Sequence, residues 1–139
     1  MGDSSKISKG ILIKKAVSRA KRAHRAGFYL ETISLCDSII GNRMNSIVRD
    51  SSGEKFKSPG IGFGSREINR LGIPIFTTDL LVQTNEWSRK RNSSLHGISR
   101  LEDFESSSWR SRLNACKQVS EEGIQLALLW LREAPKHSL

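Results

Sequence analysis

Arginine and histidine about one helical turn apart are the two groups that metal-free cleavage of RNA requires. This chain holds such a pair in the stretch Trp87-Ser88-Arg89-Lys90-Arg91-Asn92-Ser93-Ser94-Leu95-His96-Gly97, as Arg91-Asn92, three residues, then His96. The guanidinium is a planar, permanently charged fork that fits a phosphate. Imidazole titrates near neutral pH and can move protons at the reacting oxygens. Spacing alone is a loose signal, since Arg19 and His24 repeat it. Context singles out the later copy: Trp87 ahead of it, Asn92 directly after the arginine, Gly97 directly after the histidine, and a long amphipathic helix to follow.

On a helix, Asn92 and His96 fall about 40° apart and share a face, which Ser93 and Arg89 flank. Arg91 lies about 140° round from His96, in the arc of Leu80, Trp87, Leu95 and Ile98. An arginine in an apolar stripe breaks a local rule, and such breaks tend to be functional or paired. Two readings stand: a phosphate ligand at a seam between helices or subunits, its stem on Trp87, or a structural salt bridge to Asp37. For His96 the plainer alternative is a helix-end histidine that stabilises nearby carbonyls.

These residues need helices to hold them, and the sequence supplies four major ones. The first runs from about Lys9 to Ala26, after a polar stretch at residues 1–8 that is expected to fray. Leu12, Ala16, Ala20, Ala23 and Gly27 give it a narrow, small-sided face. Its remaining surface carries Lys14, Lys15, Arg19, Lys21, Arg22 and Arg25, almost without acid to balance it, and is a candidate track for a phosphate backbone. A merely solubilising surface is the alternative. His24 reads as a surface residue of this helix. A second helix is expected from about Phe28 to Val48, with Tyr29, Ile33, Cys36, Ile40, Met44 and Ile47 as its buried stripe. Asp37 falls within that stripe, where a carboxylate needs a partner. Either an arginine of the motif helix supplies it, or Asp37 meets water at the stripe's edge.

Residues 50–75 read as an irregular connection. Ser51-Ser52-Gly53 is a turn and Ser58-Pro59-Gly60-Ile61-Gly62-Phe63-Gly64 irregular backbone, with one short helical turn over Ser65 to Leu71. The glycines do not make a phosphate loop, because no strand precedes them and no Gly-Lys-Ser/Thr follows. Thr77-Thr78-Asp79 is an N-cap cluster for the motif helix, which reaches Leu95 or a little beyond. Serines 106–108 cap the last helix, which runs to about Glu133 before Pro135 with a seam of Trp109, Leu113, Cys116, Ser120, Gly123, Ala127 and Trp130. The expectation is one all-α domain over 1–139, a four- to five-helix up-and-down bundle.

At 139 residues the chain can bury a real core. A net charge of +9 favours an acidic partner, nucleic acid before an anionic membrane surface. Cys36 and Cys116 both fall on apolar helix faces and read as core thiols of a reducing compartment. The longest apolar run, Leu126 to Leu131, is far too short to span a membrane. The opening Met1-Gly2-Asp3-Ser4-Ser5-Lys6 has lysine where a myristoylation pattern needs Ser or Thr, and does not read as a signal peptide. A cytoplasmic protein without membrane contact is expected. The three histidines are scattered, and no Cys/His or Asp/Glu set has ligand spacing, so neither metal nor cofactor is expected.

The Arg91-Asn92-x-x-x-His96 run, with Trp87 and Gly97 around it and an Ala26-Gly27-Phe28-Tyr29-Leu30-Glu31-Thr32-Ile33 helix opening, resembles the HEPN superfamily of ribonucleases, many of them toxins or antiviral effectors. The resemblance covers residues 12–131, though its motif content is short. It implies an all-helical HEPN-like bundle and a metal-independent endoribonuclease. His96 would assist attack of the RNA 2′-OH on the adjacent phosphate, Arg91 with Arg89 would stabilise the charged phosphorane, and Asn92 would orient the histidine or phosphate. The products would be a 2′,3′-cyclic phosphate and a 5′-hydroxyl. One histidine per motif is thin for chemistry that needs both an acid and a base. A two-fold homodimer would bring two copies together in a composite site, and an antitoxin or other regulatory protein is a further expected partner. The rival readings are a catalytically silent HEPN binding module and an unrelated basic helical protein that binds nucleic acid.

Overall fold

The computed structural model describes the backbone of residues 9–53, 60–73, 79–99 and 106–133, and the side chains of 10–53, 60–73, 79–94 and 110–132. Within them lie five helices and no strand: α1 (Lys9–Arg25), α2 (Tyr29–Ser52), α3 (Ile61–Leu71), α4 (Leu80–Ser99) and α5 (Ser106–Glu133). The all-α helical bundle expected from the sequence is the fold observed.

The α1–α2 hairpin follows from local chemistry. Gly27 has φ +86°, a left-handed conformation that a side chain would strain. It lets the amide of Phe28 reach the Ala23 carbonyl at 2.8 Å and its own amide reach that of His24 at 3.0 Å, a Schellman termination of α1. The chain then folds back antiparallel. Ala20 and Ala23 are buried, and their small side chains let α2 approach closely enough for the Thr32 hydroxyl to donate to the Ala20 carbonyl at 3.2 Å. The small-sided face holds there and ends toward the start of α1, where Leu12 is 51% exposed.

Helix α5 runs parallel to α2, with Tyr29 near Cys116 at one level and Cys36 beside Gly123 at another. It runs antiparallel to α4, pairing Thr84 with Trp130, Lys90 with Glu122, and Ser94 with Cys116. The four long helices therefore alternate in direction. Gly123 permits a close approach among them: a Cβ there would lie 2.8 Å from Trp87 Cζ2 and 3.2 Å from Cys36 Cβ. Trp87 is locked against α5 by its indole N–H, which donates to the Val119 carbonyl at 2.8 Å. Trp130 points back into α4, donating to the Thr84 hydroxyl at 2.9 Å, which itself donates to the Leu80 carbonyl at 2.7 Å. Two buried indoles thus have their polar atoms satisfied inside the core, as burial requires.

The interval 50–75 is more regular than its sequence suggests. Helix α2 continues to Ser52, and α3 is three turns long rather than one. Ile61, Gly64, Ser65 and Ile68 form its buried face, at the i, i+3, i+4, i+7 spacing of a helix. Gly64 reads as a breaker, yet it is where α3 meets α2, since a Cβ there would stand 2.8 Å from Met44 Cβ. On the α4 side, Asn85 donates to the Ser65 hydroxyl at 3.0 Å. Thr77 and Thr78 of the expected N-cap cluster lie outside the described residues. The expected α5 seam is buried at Cys116, Ser120, Gly123, Ala127 and Trp130 and exposed at Leu113, while the side chain of Trp109 lies outside those described. Ser106 is already helical, so α5 begins within the serine run expected to cap it.

Candidate functional site

Leu30, Ile33, Ser34 and Asp37 lie on one face of α2 and form one wall of an open groove of about 490 Å³. Arg91 and Asn92 of α4 complete its lining. Arg91 Nη1 donates to Asp37 Oδ1, joining α4 to α2. The same guanidinium donates to Asn92 Oδ1, from Nη2 at 2.9 Å and Nε at 3.2 Å. Of the two possibilities for Asp37, the arginine of the motif helix is the partner. The side chains are 19% (Arg91) and 36% (Asp37) exposed, so the pair stands at the edge of the core with one side on the groove. Burial pushes the Asp37 carboxyl up from its ordinary value, and the adjacent Arg91 charge and hydrogen bond pull it back.

Asn92 and Arg89 are exposed on α4. His96 lies one turn beyond Asn92 on the same helix, and its side chain lies outside those described. Thus Asp37, Arg91 and Asn92 are brought together, and Arg89 takes no part in their hydrogen bonding.

The cationic residues of α1 divide. Lys14, Lys15, Arg19 and Arg22 line one shallow groove with Ile11 and Ser18. Lys21 is half-buried and Arg25 exposed. The surface is less free of acid than α1 alone suggests, because Glu31 of α2 accepts from Arg19 Nε at 2.9 Å. Glu31 follows Leu30 of the Arg91 groove in the chain, but the two grooves share no lining residue among those described.

His24 is not the surface residue its basic surroundings suggest. It is half-buried, hydrogen-bonded through Nδ1 to the buried Ser120 hydroxyl at 2.7 Å, and tilted against Tyr29 with ring centroids 5.4 Å apart. Its partner lies on α5, 96 positions away, and no local pattern announces it. Cys36 and Cys116 are free and buried. Burial, with Asp37 adding to it, pushes the Cys36 thiol up to about 12, which removes it as a nucleophile at neutral pH. No helix among the described residues is long and apolar enough to cross a membrane.

The chain matches no protein-family model, no curated protein and no solved structure.

Proposed function

We propose that this chain is a metal-independent endoribonuclease of the HEPN kind, working as a toxin or antiviral effector and cutting RNA by 2′-OH attack. The observation that carries the reading is the Asp37–Arg91–Asn92 cluster on an open groove, with His96 one helical turn further along α4. Asp37 fixes one edge of the guanidinium and Asn92 another. A held guanidinium loses less freedom when it meets a phosphate, and positioned charge is what a phosphorane needs. His96 is the proton-transfer group, and Arg89, exposed two turns before it, is a second phosphate contact. The α1 groove of Lys14, Lys15, Arg19 and Arg22, with Lys21 and Arg25 beside it, gives the rest of the RNA a basic path along α1.

The acid and base of this mechanism come from two copies of the chain. Phe28, Leu30 and Leu113 are 63%, 40% and 38% exposed, and Leu30 also lines the Arg91 groove. An apolar patch against the site suits a homodimer whose two motifs face each other. One observation favours a second reading, the silent binding module: Arg91 already has a carboxylate partner.

Incubation with a pool of tRNA and mRNA in EDTA, beside Arg91→Ala and His96→Ala, separates the two. The nuclease reading predicts cleavage by wild type alone. Intact RNA throughout, or equal cleavage by both variants, would leave these residues structural.

A further inference from the structure

A further cavity, of about 340 Å³, lies between the start of α1 and the later turns of α2. Asn42, Asn45, Ser46 and Arg49 follow i, i+3, i+4, i+7 spacing on α2 and form its polar wall together with Arg43, while Leu12 and Ile13 of α1 form the apolar wall. No carboxylate among the described residues lines it. Arg43 Nε and Asn45 Oδ1 are both shut off from solvent and have no hydrogen-bond partner. Burial lowers the pKa of Arg43, against the opposing charge of Asp50. A buried donor and a buried acceptor left unpaired each carry a desolvation cost, and native proteins rarely leave one without a use. Both atoms belong to residues that line the same cavity.

We propose that this cavity binds a small phosphomonoester, its phosphate held by Arg43 and Arg49 and its organic part lying along Leu12 and Ile13. Two guanidiniums, with no carboxylate among the described lining residues, match a doubly charged oxyanion. The volume is far more than a bare phosphate fills, and the apolar wall gives the remainder something to pack on. Asn45 lies eight residues beyond Asp37 on α2, about 12 Å along the axis, so this site is separate from the Arg91 groove and does not depend on the nuclease reading.

Phenyl phosphate and inorganic phosphate are the probes, titrated into the full chain while NMR follows the Arg43 Nε–H and the Asn45 side-chain amide. Arg43→Gln and Arg49→Gln are compared with Arg132→Gln, a charge change at an exposed residue that does not line the cavity. The expected result is saturable shifts of both signals with phenyl phosphate, weaker binding of inorganic phosphate, and affinity for phenyl phosphate lowered about tenfold or more in Arg43→Gln and Arg49→Gln only. Should Arg43→Gln fail to fold, Arg49→Gln carries the comparison. Shifts that never saturate, or an Arg49→Gln affinity equal to that of Arg132→Gln, would overturn the assignment.

Discussion

Replacing Gly123 with alanine should destabilise the bundle, although the same change at Gly62 should stabilise it. Both glycines are helical. Alanine in a helix interior gains up to about 1 kcal/mol over glycine. At Gly62, in the first turn of α3, nothing lies within 4 Å of the added carbon, so a smaller gain of the same sign stands alone. At Gly123 the added carbon sits 2.8 Å from Trp87 Cζ2, with Cys36 Cβ at 3.2 Å behind it. The ring is tied in place by its 2.8 Å bond to the Val119 carbonyl, which a retreat would strain. Overpacking costs about 1–3 kcal/mol and the strained indole bond about 1 kcal/mol more. After the helix gain is set against them, a net loss of about 1–3 kcal/mol remains. For a chain of this length that lowers Tm by roughly 4–10 °C. Urea and thermal unfolding followed by far-UV circular dichroism measure both variants against wild type. A Gly123→Ala protein as stable as wild type, beside a stabilised Gly62→Ala, would mean that Trp87 is not held between α2 and α5 as described.

Other outcomes follow from the polar contacts. Thr84→Val removes the acceptor of the buried Trp130 indole and should cost about 1–3 kcal/mol, whereas Thr84→Ser keeps the oxygen and should cost less; equal losses in urea unfolding would refute the role of the hydroxyl. Asp37 is raised by burial more than Arg91 lowers it, so its contribution to stability is fully present below its unfolded pKa and is lost as pH rises through the folded value. Asp37→Asn should therefore gain stability relative to wild type as pH is raised from acid to neutral. A relative loss over that range, in denaturation midpoints, would show that Arg91 dominates the carboxyl instead.

Much of this architecture is legible because its determinants are local. The apolar stripe of α2 is buried from Ile33 through Ile47, and Gly27 bends the chain where a glycine before a second periodic run would. Asp37 stands out by the same logic, as a carboxylate inside an apolar stripe, and its arginine comes from the motif helix. What escapes the sequence depends on partners far along the chain. Gly62 and Gly64 look like breakers, since the use of Gly64 is visible only once Met44 of α2 is opposite it. His24 looks solvated among lysines and arginines, because Ser120 reaches it from α5. Arg43 and Asn45 read as ordinary polar residues of α2, and the burial of their unpaired atoms becomes visible only in the folded chain.

The most direct test of the proposed chemistry is a pair of RNA oligonucleotides of identical sequence, one carrying a single 2′-deoxy sugar at the position where the all-ribose strand is cut. Both are incubated with wild-type protein in EDTA, and the ends are read by mass. The Arg91–His96 account predicts cleavage of the all-ribose strand to a 2′,3′-cyclic phosphate and a 5′-hydroxyl, no cut at the deoxy position, and loss of cleavage in His96→Ala. Cutting at the deoxy position, or ends without the cyclic phosphate, would contradict it.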